Sequence, residues 1–377
     1  MLKDFLQNKP LYYDEIDYNR MPKVYERIKS NFKRVKIIHI IGTNGKGTTG
    51  RFLATALYKI GFSVGHYTSP HILNFNERIW IDGFDVSDDM LNLSHEKLLN
   101  ILTKQEADTL SYFEYTTLLA MLIYEDVDYV VLEAGLGGEH DATAVFDNIL
   151  TLVTPIAKDH EAFLGNSIKE IATTKLNAVQ NMAIFAQQAD VEVYNVAELL
   201  KIKYKKVSFF IDKEDKKKII EISKELSLAP YLQDNLSLAI SALKYLKIDY
   251  NSTNLLKSKL FGRLSKVNNN IIIDVGHNTL AAKAILETLN GAKYILIYNS
   301  YKDKAYKEIL RILKPIIEHV EIIDIAEERI EEKNKLEDTL KELNIVYNSF
   351  KDIDKNNKYL VFGSFSVVEK FLKAYDE

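Results

Sequence analysis

Apolar and β-branched residues are concentrated in short runs, and helical periodicity fills several of the stretches between them. The runs predict strands near 35–41, 64–68, 128–133, 149–154, 182–186 and 206–211. Strands that alternate with helices are typical of a parallel sheet covered by helices. This part of the chain therefore predicts an α/β fold.

A second, shorter series of the same kind begins at Ile271. Turn formers between Phe261 and Asn270 interrupt the periodicity before it. We therefore predict a first domain over 1–262, a hinge over 263–270 and a smaller α/β domain over 271–377. The strands predicted in the second domain are 271–275, 293–298, 319–325 and 358–362, with helices from about Leu280, over 303–318, over 332–343 and after the last strand.

Length and composition narrow the class of protein. A chain of 377 residues is long enough for two domains with separate cores, and a net charge of −4 offers no general field for nucleic acid. The absence of cysteine excludes disulfides, thiolate zinc sites and a cysteine nucleophile. Residues 1–5 lead into mixed charge, and no run of about 18 apolar residues occurs. We therefore predict a cytoplasmic protein without a membrane span.

The strongest chemical signal is Gly42-Thr43-Asn44-Gly45-Lys46-Gly47-Thr48, between the strand at 35–41 and a helix that runs to about Ile60. Glycines let backbone N–H groups face an anion, Lys46 can pair with phosphate oxygens, and the Thr48 hydroxyl can approach a magnesium ion. A glycine-rich turn without a ligand is the alternative. The pattern predicts binding of a nucleoside triphosphate, although only two residues separate Gly42 from Gly45.

Further polar segments follow the ends of other predicted strands, where ligands bind in open α/β sheets. Singly, a serine before proline is a common turn, and a lone histidine is more often a core or surface residue than a ligand. Their joint occurrence at strand ends favours a ligand-binding site. The segments are Thr68-Ser69-Pro70-His71, Glu133-Ala134-Gly135-Leu136-Gly137-Gly138, Lys158-Asp159-His160 and Asp274-Val275-Gly276-His277-Asn278, with Thr173-Thr174-Lys175 on a predicted helix.

From about Asp14 to Phe371, the order and wording of these segments resemble the folate-adding branch of the Mur ligase family, folylpolyglutamate synthase and the bifunctional dihydrofolate synthase. That branch has a glycine at the position of Gly47, which the cell-wall Mur ligases lack. The resemblance implies a P-loop-type parallel-sheet ATPase domain, a smaller Rossmann-like α/β domain, and a monomer. It also implies ATP and two Mg²⁺ ions as cofactors.

The resemblance assigns residues to metal and nucleotide. Ser69, Glu133 and His160 would hold magnesium, and Lys175 occupies the position of a carbamylated lysine that binds a second ion. An ordinary exposed helix lysine is the alternative, because Thr174 replaces the glutamate usual before this lysine. The implied catalytic residues are Lys46, His160, Lys175 and His277, and the implied nucleotide contacts are Thr43, Asn44, Gly45, Lys46, Gly47, Thr48, Asn235, Arg263 and Asp274.

The implied reaction adds L-glutamate to dihydropteroate, to the γ-carboxyl of folates, or to both, through an acyl phosphate. No nucleic acid or membrane partner is implied. Two departures from the family pattern, Glu139 for arginine and Ala144 for asparagine, put the identity of the acceptor in question. Positions that match the wall of the acceptor pocket are Phe113, Glu114, Tyr115, Thr116, His140, Asp141 and Ala142.

Three alternatives remain at this stage. A Mur-type ligase for a different carboxylate and amino acid would keep the chemistry and change both substrates. A P-loop kinase or GTPase would need four residues between the first glycine and the Gly-Lys pair. A non-catalytic nucleotide-binding scaffold would be expected to lose metal ligands, whereas Ser69, Glu133 and His160 are all present.

Overall fold

The computed structural model of the chain describes residues 1–9 and 17–375, so Asp14, where the resemblance begins, lies outside the described residues. The chain divides into two compact units. Unit 1 comprises Met1–Ser227 and Leu232–Ser258, and unit 2 comprises Leu228–Tyr231 and Lys259–Glu377. The hinge over 263–270 stays a prediction.

Unit 1 is built on an eight-stranded sheet in the order β4-β3-β2-β5-β1-β6-β7-β8. The strands from β2 to β8 in this order pair in parallel, whereas β3 and β4 pair antiparallel. The strands are β1 (Lys36–Ile41), β2 (Val64–Tyr67), β3 (Ile79–Ile81), β4 (Phe84–Asp85), β5 (Tyr129–Glu133), β6 (Leu150–Val153), β7 (Met182–Phe185) and β8 (Lys203–Lys206).

Helices surround this sheet, and buried apolar residues fill the space between. Among the described helices, none is long and apolar enough to cross a membrane. The helices are α1 (Leu2–Gln7), α2 (Arg20–Ile28), α3 (Lys46–Ile60), α4 (Asp88–Ile101), α5 (Lys104–Thr109), α6 (Tyr112–Ile123), α7 (Glu161–Leu164), α8 (Ile168–Leu176), α9 (Glu192–Leu199), α10 (Lys213–Glu225) and α11 (Pro230–Tyr245), whose first two residues belong to unit 2.

The central strands of unit 1 are apolar runs because helices cover both faces of the sheet. All residues of β5 are buried, and in β1 only Lys36 is exposed. Ile40 pairs with Glu133 of β5, and Ile41 pairs with Val153 of β6. The carboxyl ends of β5, β1 and β6 therefore lie side by side, and the polar loops predicted as a site leave the sheet there.

The predicted strand over 206–211 is wrong. The strand β8 lies earlier, and Val207–Phe209 forms a 3₁₀ turn in which the Phe209 side chain is exposed. β8 is the edge of the sheet, so its residues are solvated and three of its four are lysines. Lysines on an edge oppose pairing with a further strand, and they leave no apolar run for a pattern search to find.

Unit 2 has a six-stranded sheet in the order β13-β12-β11-β14-β10-β9, in which β9 alone pairs antiparallel. Its strands are β9 (Ser265–Lys266), β10 (Ile271–Asp274), β11 (Tyr294–Tyr298), β12 (Ile317–Ile322), β13 (Tyr347–Ser349) and β14 (Tyr359–Phe362). Its helices are α12 (Thr279–Leu289), α13 (Tyr306–Leu313), α14 (Lys333–Glu342) and α15 (Phe365–Tyr375).

The helix predicted over 303–318 is shorter than expected. α13 ends at Leu313, a 3₁₀ turn with Pro315 follows, and β12 begins at Ile317. Proline has no backbone N–H to donate and its ring clashes with the preceding helical turn, so the helix cannot continue through this position.

Candidate active site

The glycine-rich loop of unit 1 is fixed between β1 and the residues after β6. The N–H groups of Thr43 and Asn44 donate to the carbonyl of Pro155 at 3.0 and 3.3 Å. Gly45 precedes α3 with φ +88°, and a Cβ there would lie 2.4 Å from the Asn235 side-chain oxygen, so glycine is required. The loop leads into the N-terminus of α3, where unpaired N–H groups and the helix dipole favour an anion.

Lys46 and Thr48 start this helix. The Lys46 ammonium lies 3.3 Å from the Gly42 carbonyl, 3.4 Å from that of Thr43 and 4.0 Å from a carboxylate oxygen of Glu133. The Thr48 hydroxyl is buried and has no hydrogen-bond partner among the residues that the structure describes. Buried hydroxyls are normally paired, so this oxygen fits a metal or phosphate ligand.

Glu133 contacts both the phosphate loop and the residues that follow β2. Its carboxylate is buried, accepts a hydrogen bond from the Ser69 N–H at 3.2 Å, and accepts another from the Thr68 hydroxyl. Three predicted residues, Lys46, Ser69 and Glu133, are thus neighbours. Thr68 was missed as a site residue, although it stands beside Ser69 at the end of a predicted strand. Oxygen donors of this kind suit a hard divalent cation.

Lys175 reaches the same loop from α8. Only 5% of the residue is exposed, and its ammonium donates to the Gly42 carbonyl at 3.1 Å. This burial excludes the alternative of an exposed helix lysine. Burial, followed by the nearby charge of Lys46, lowers the pKa of Lys175 to about 7.

His160 lies beyond β6, at the start of α7, with φ 53°. Its N–H donates to the Asp159 carboxylate at 2.9 Å, and its Nε2 lies 4.0 Å from the other oxygen of the same carboxylate. The Asp159 side chain is 7% exposed. In the sequence, Asp159 was only the neighbour of the predicted ligand His160. In the structure, its carboxylate is a second polar group between β6 and α7.

The predicted acceptor segment on α6 splits into two groups. The Phe113 ring packs on Gly135, where a Cβ would lie 2.6 Å from its Cζ. Glu114 closes the first turn of α6 by accepting from the Ser111 N–H. Tyr115 and Thr116 point into the core instead, where their hydroxyls bond His95 at 2.6 Å and Tyr67 at 3.0 Å.

The loop after β5 is held by Asp141. Its buried carboxylate accepts from the Leu136 N–H at 2.8 Å and from the N–H and hydroxyl of Thr143 at 3.0 and 2.5 Å, while burial raises its pKa. Ala142 is buried, and the His140 side chain is 44% exposed. The Glu139 carboxylate accepts from the Asn177 amide at 2.7 Å and also lies 4.0 Å from the His140 Nε2.

In unit 2, the predicted residues gather around the end of β10. Asp274 is buried and accepts from the Tyr231 hydroxyl at 2.9 Å, the Leu264 N–H at 2.9 Å and the Gly276 N–H at 2.8 Å. The Arg263 guanidinium lies 5.3 Å from the centre of the Phe365 ring, and the His277 Nδ1 lies 3.3 Å from the Val275 carbonyl. Tyr231 is a partner that the sequence did not indicate.

No protein-family model matches the chain. The dihydrofolate synthase/folylpolyglutamate synthase of Haemophilus influenzae is 30% identical over 411 residues, which cover 92% of each chain. The chain therefore belongs to the dihydrofolate synthase/folylpolyglutamate synthase family. This confirms the predicted family and the predicted enzyme class, an ATP-dependent ligase.

Solved structures place the fold in the same family. The folylpolyglutamate synthetase of Helicobacter pylori is 39% identical with a TM-score of 0.80, covering 100% of this chain and 98% of its own. The bifunctional enzyme of Yersinia pestis complexed with AMPPNP and Mn ion is 24% identical with a TM-score of 0.81, covering 99% and 97%. The predicted α/β fold class is confirmed.

Proposed function

We propose that this enzyme joins L-glutamate to the carboxylate of dihydropteroate, to the γ-carboxyl of a folate, or to both, through an acyl phosphate. The observation that carries the proposal is the Lys46 ammonium 4.0 Å from the buried Glu133 carboxylate, at the start of the helix that also holds Thr48, whose buried hydroxyl has no hydrogen-bond partner among the described residues. This set suits a magnesium-bound triphosphate. An oxygen of the acceptor carboxylate attacks the γ-phosphorus, ADP leaves, and the glutamate amine then displaces phosphate from the acyl carbon.

Each group of unit 1 has a proposed task. Lys46 and the N-terminus of α3 bind phosphate oxygens, and Thr48, Ser69, Glu133 and His160 hold a divalent cation. A bound cation offsets negative charge on the phosphoryl group. Lys46 stabilises the charge that builds up during phosphoryl transfer, since the protein's contribution to such reactions is mainly positioning and electrostatics. The donors present in this chain fit the cation that the Yersinia pestis relative was crystallised with.

Carbamylation of Lys175 and a second cation belong to the same proposal. The amine is buried beside the phosphate loop, where an uncharged form is favoured. A neutral amine can form an N–C bond with CO₂ and release a proton, which leaves a carbamate anion. Intact-protein mass spectra with and without bicarbonate test this step. A mass that bicarbonate does not change would remove it.

In unit 2 we propose that Arg263 and Asp274 contact the nucleotide and that His277 positions phosphate or glutamate, as the resemblance implies. In unit 1 we propose that Asn235 contacts a nucleotide, again as the resemblance implies. We also propose that the enzyme is a cytoplasmic monomer whose partners in ligation are these small substrates alone. These points rest on the resemblance, and size-exclusion chromatography with light scattering tests the monomer.

The experiment that tests the function supplies Mg-ATP and glutamate with dihydropteroate, with tetrahydrofolate or with no acceptor, and identifies products by mass. Added glutamate on either acceptor supports the proposal and tells which activity the enzyme has. The second candidate is a ligase for another carboxylate, which Glu139 and Ala144 favour. Nucleotide binding without glutamate addition to either acceptor would support that candidate and overturn the first.

A further inference from the structure

In the part of the chain that the structure describes, β8 pairs along one edge only. It is the last strand in the order of its sheet, and β7 is its partner. None of the other hydrogen bonds among the described residues uses a backbone group of β8. A free edge presents a row of N–H and C=O groups, to which an extended peptide can add as a further strand.

Positive charge is concentrated on this edge. Lysine occupies four of the six positions from 201 to 206, in a chain whose net charge is −4. Within the described residues, none of the four makes an ion pair with a carboxylate, whereas Lys218 of α10 pairs with Glu214 at 3.0 Å. The four charges repel one another, and a partner that carries carboxylates would relieve this repulsion.

The alternation of side chains gives β8 two different faces. The Tyr204 ring packs on the Phe185 ring, with 4.6 Å between ring centres, and belongs to the core side of the sheet. Lys203 and Lys205 point to the opposite face, because neighbours on a strand alternate, and both are exposed. Residues two positions apart on a strand are roughly 6.6 Å apart. Alternate residues of an added strand have the same spacing, so two of its carboxylates match the two lysines.

A groove of about 740 Å³ follows this edge, and its lining includes all four residues of β8 and Phe209. Glu198 is the acidic residue of the lining, and its carboxylate accepts from the Tyr204 hydroxyl at 3.0 Å. The Phe209 side chain is 66% exposed, and the Lys205 ammonium lies 4.3 Å from the centre of its ring. The ring therefore restrains one of the lysines and offers an apolar contact in the same groove.

We propose that the free edge of β8 docks an extended acidic segment of another protein, which pairs with β8 as an added strand and places carboxylates against Lys203 and Lys205. Hydrogen bonds between the two backbones supply affinity, and the lysines select the charge of the partner. The lysines oppose pairing with the same edge of a second copy of this chain, so the partner is a different protein. This docking is independent of ligation and of the proposed function.

Fluorescence anisotropy with the full chain and a labelled peptide, in which glutamate alternates with valine, tests the site. The peptide should bind saturably, and added salt should weaken its binding because exposed charge pairs are screened. The double variant Lys203→Glu and Lys205→Glu exchanges two attractive charges for two repulsive ones and should raise the Kd roughly tenfold or more. The double variant Lys216→Glu and Lys217→Glu makes the same change in charge at exposed positions of α10 and is the matched control. Its Kd should stay within about twofold, and thermal unfolding shows whether both variants keep the fold.

Backbone pairing is tested on the wild-type protein alone with two further peptides, N-methylated at every glutamate or at every valine. The N–H groups of an added strand point alternately toward β8 and away from it, so one methylated peptide should lose binding and the other should keep it. Equal affinity of the two, or no saturable binding of the unmethylated peptide up to about 1 mM, would overturn the proposal. So would an unchanged Kd in the variant with Lys203→Glu and Lys205→Glu. Binding of an oligothymidylate or of phosphatidylserine vesicles in place of the peptide would give the lysines a different partner and would likewise overturn it.

Discussion

Lys46 places a positive charge where a phosphate would meet the start of α3, and the Lys46 side chain contributes little to the stability of the fold. Among the described residues, its ammonium makes two long hydrogen bonds, at 3.3 and 3.4 Å, to carbonyls of its own loop, and lies 4.0 Å from the Glu133 carboxylate. We expect Lys46→Ala to lower kcat about 100-fold or more, because charge stabilisation of the transferring phosphoryl group is lost. The unfolding midpoint should hardly move. Lys59→Ala, at the exposed end of the same helix, is the control, and retained turnover in Lys46→Ala would refute the phosphate-loop assignment.

Glu133 carries the negative charge that the proposed cation needs. Glu133→Gln preserves size and an acceptor for the Ser69 N–H and the Thr68 hydroxyl, and removes the charge. The magnesium concentration for half-maximal activity should rise roughly tenfold or more, as in other perturbed metal sites. A magnesium titration of the variant measures it, with exposed Glu96→Gln as the control. An unshifted titration would take Glu133 out of the metal site.

His39 makes the stability of unit 1 depend on pH. It is buried in β1, its Nε2 lies 2.8 Å from the Thr143 hydroxyl, and burial lowers its pKa from 6.5 to about 4. The unfolded chain therefore takes up this proton first as the pH falls. The stabilisation is complete above about pH 6.5 and is lost toward pH 4, by about 3 kcal/mol in total.

Fluorescence of Trp80, the one tryptophan, follows the unfolding of the unit that holds His39. Urea unfolding between pH 7 and pH 4 should show a smaller loss of stability for His39→Gln than for the wild-type protein. His319→Gln in unit 2 should leave the slope unchanged. If the free energy of unfolding depends on pH in the same way for wild type and His39→Gln, the buried imidazole is not the source of the pH dependence.

The sequence identified the residues that belong to a recognisable run, such as Lys46, Thr48 and Glu133. It missed Thr68, Asp159 and Tyr231, because a threonine, an aspartate or a tyrosine has many ordinary uses and no spacing distinguishes these three. Thr68 and Tyr231 have partners that are distant along the chain: Glu133 lies 65 residues from Thr68, and Asp274 lies 43 residues from Tyr231. Only the fold brings such pairs together. Asp159 instead contacts its neighbour His160.

Among the elements, the crossing of the loop after β5 over α8 depends on Gly138. A Cβ at this position would lie 2.4 Å from the Lys175 carbonyl oxygen and 2.7 Å from its Cα. Because both atoms belong to backbone, neither can move aside cheaply, and the loop would be displaced from the helix that carries Lys175. The loop after β5 and the phosphate loop thus both contact Lys175, the first through its backbone and the second through its ammonium.

Gly138→Ala should therefore lower stability by about 1–3 kcal/mol and reduce ligation together with it. Gly61→Ala is the matched control, because its φ is +118° but no atom lies within 4 Å of the added Cβ. That variant should lose about 1 kcal/mol from backbone strain alone and keep its activity. Thermal unfolding and specific activity, measured on both variants, separate the effect of steric crowding at residue 138 from the effect of backbone strain at residue 61. Full activity in Gly138→Ala would contradict the proposed close fit.

Elements that are buried on both faces were predictable, and elements at the margins were not. β1, β5 and β6 were located within about one residue, because continuous apolar runs require this burial. The strands β3, β4, β9 and β13 are two or three residues long, too short for a pattern. Their pairing comes from tertiary contacts, as does the displacement of β8 to a lysine-rich edge.

For the whole molecule, two α/β units with separate cores agree with the length of the chain, and the family follows from the comparison with Haemophilus influenzae. The departures at Glu139 and Ala144 lie in the loop after β5, where we propose part of the acceptor wall. Glu139 bonds Asn177, and the Ala144 carbonyl accepts from Gln180. The first contact uses the Glu139 side chain, whereas the second uses backbone that any residue at 144 would offer.

The most direct test of ligation through an acyl phosphate follows an oxygen atom. The acceptor carboxylate is labelled with ¹⁸O, the enzyme turns over with Mg-ATP and glutamate, and the phosphate and the nucleotide are analysed by mass. The account predicts ADP and a phosphate that carries one ¹⁸O for each glutamate added. Unlabelled phosphate, or AMP as the nucleotide product, would contradict it.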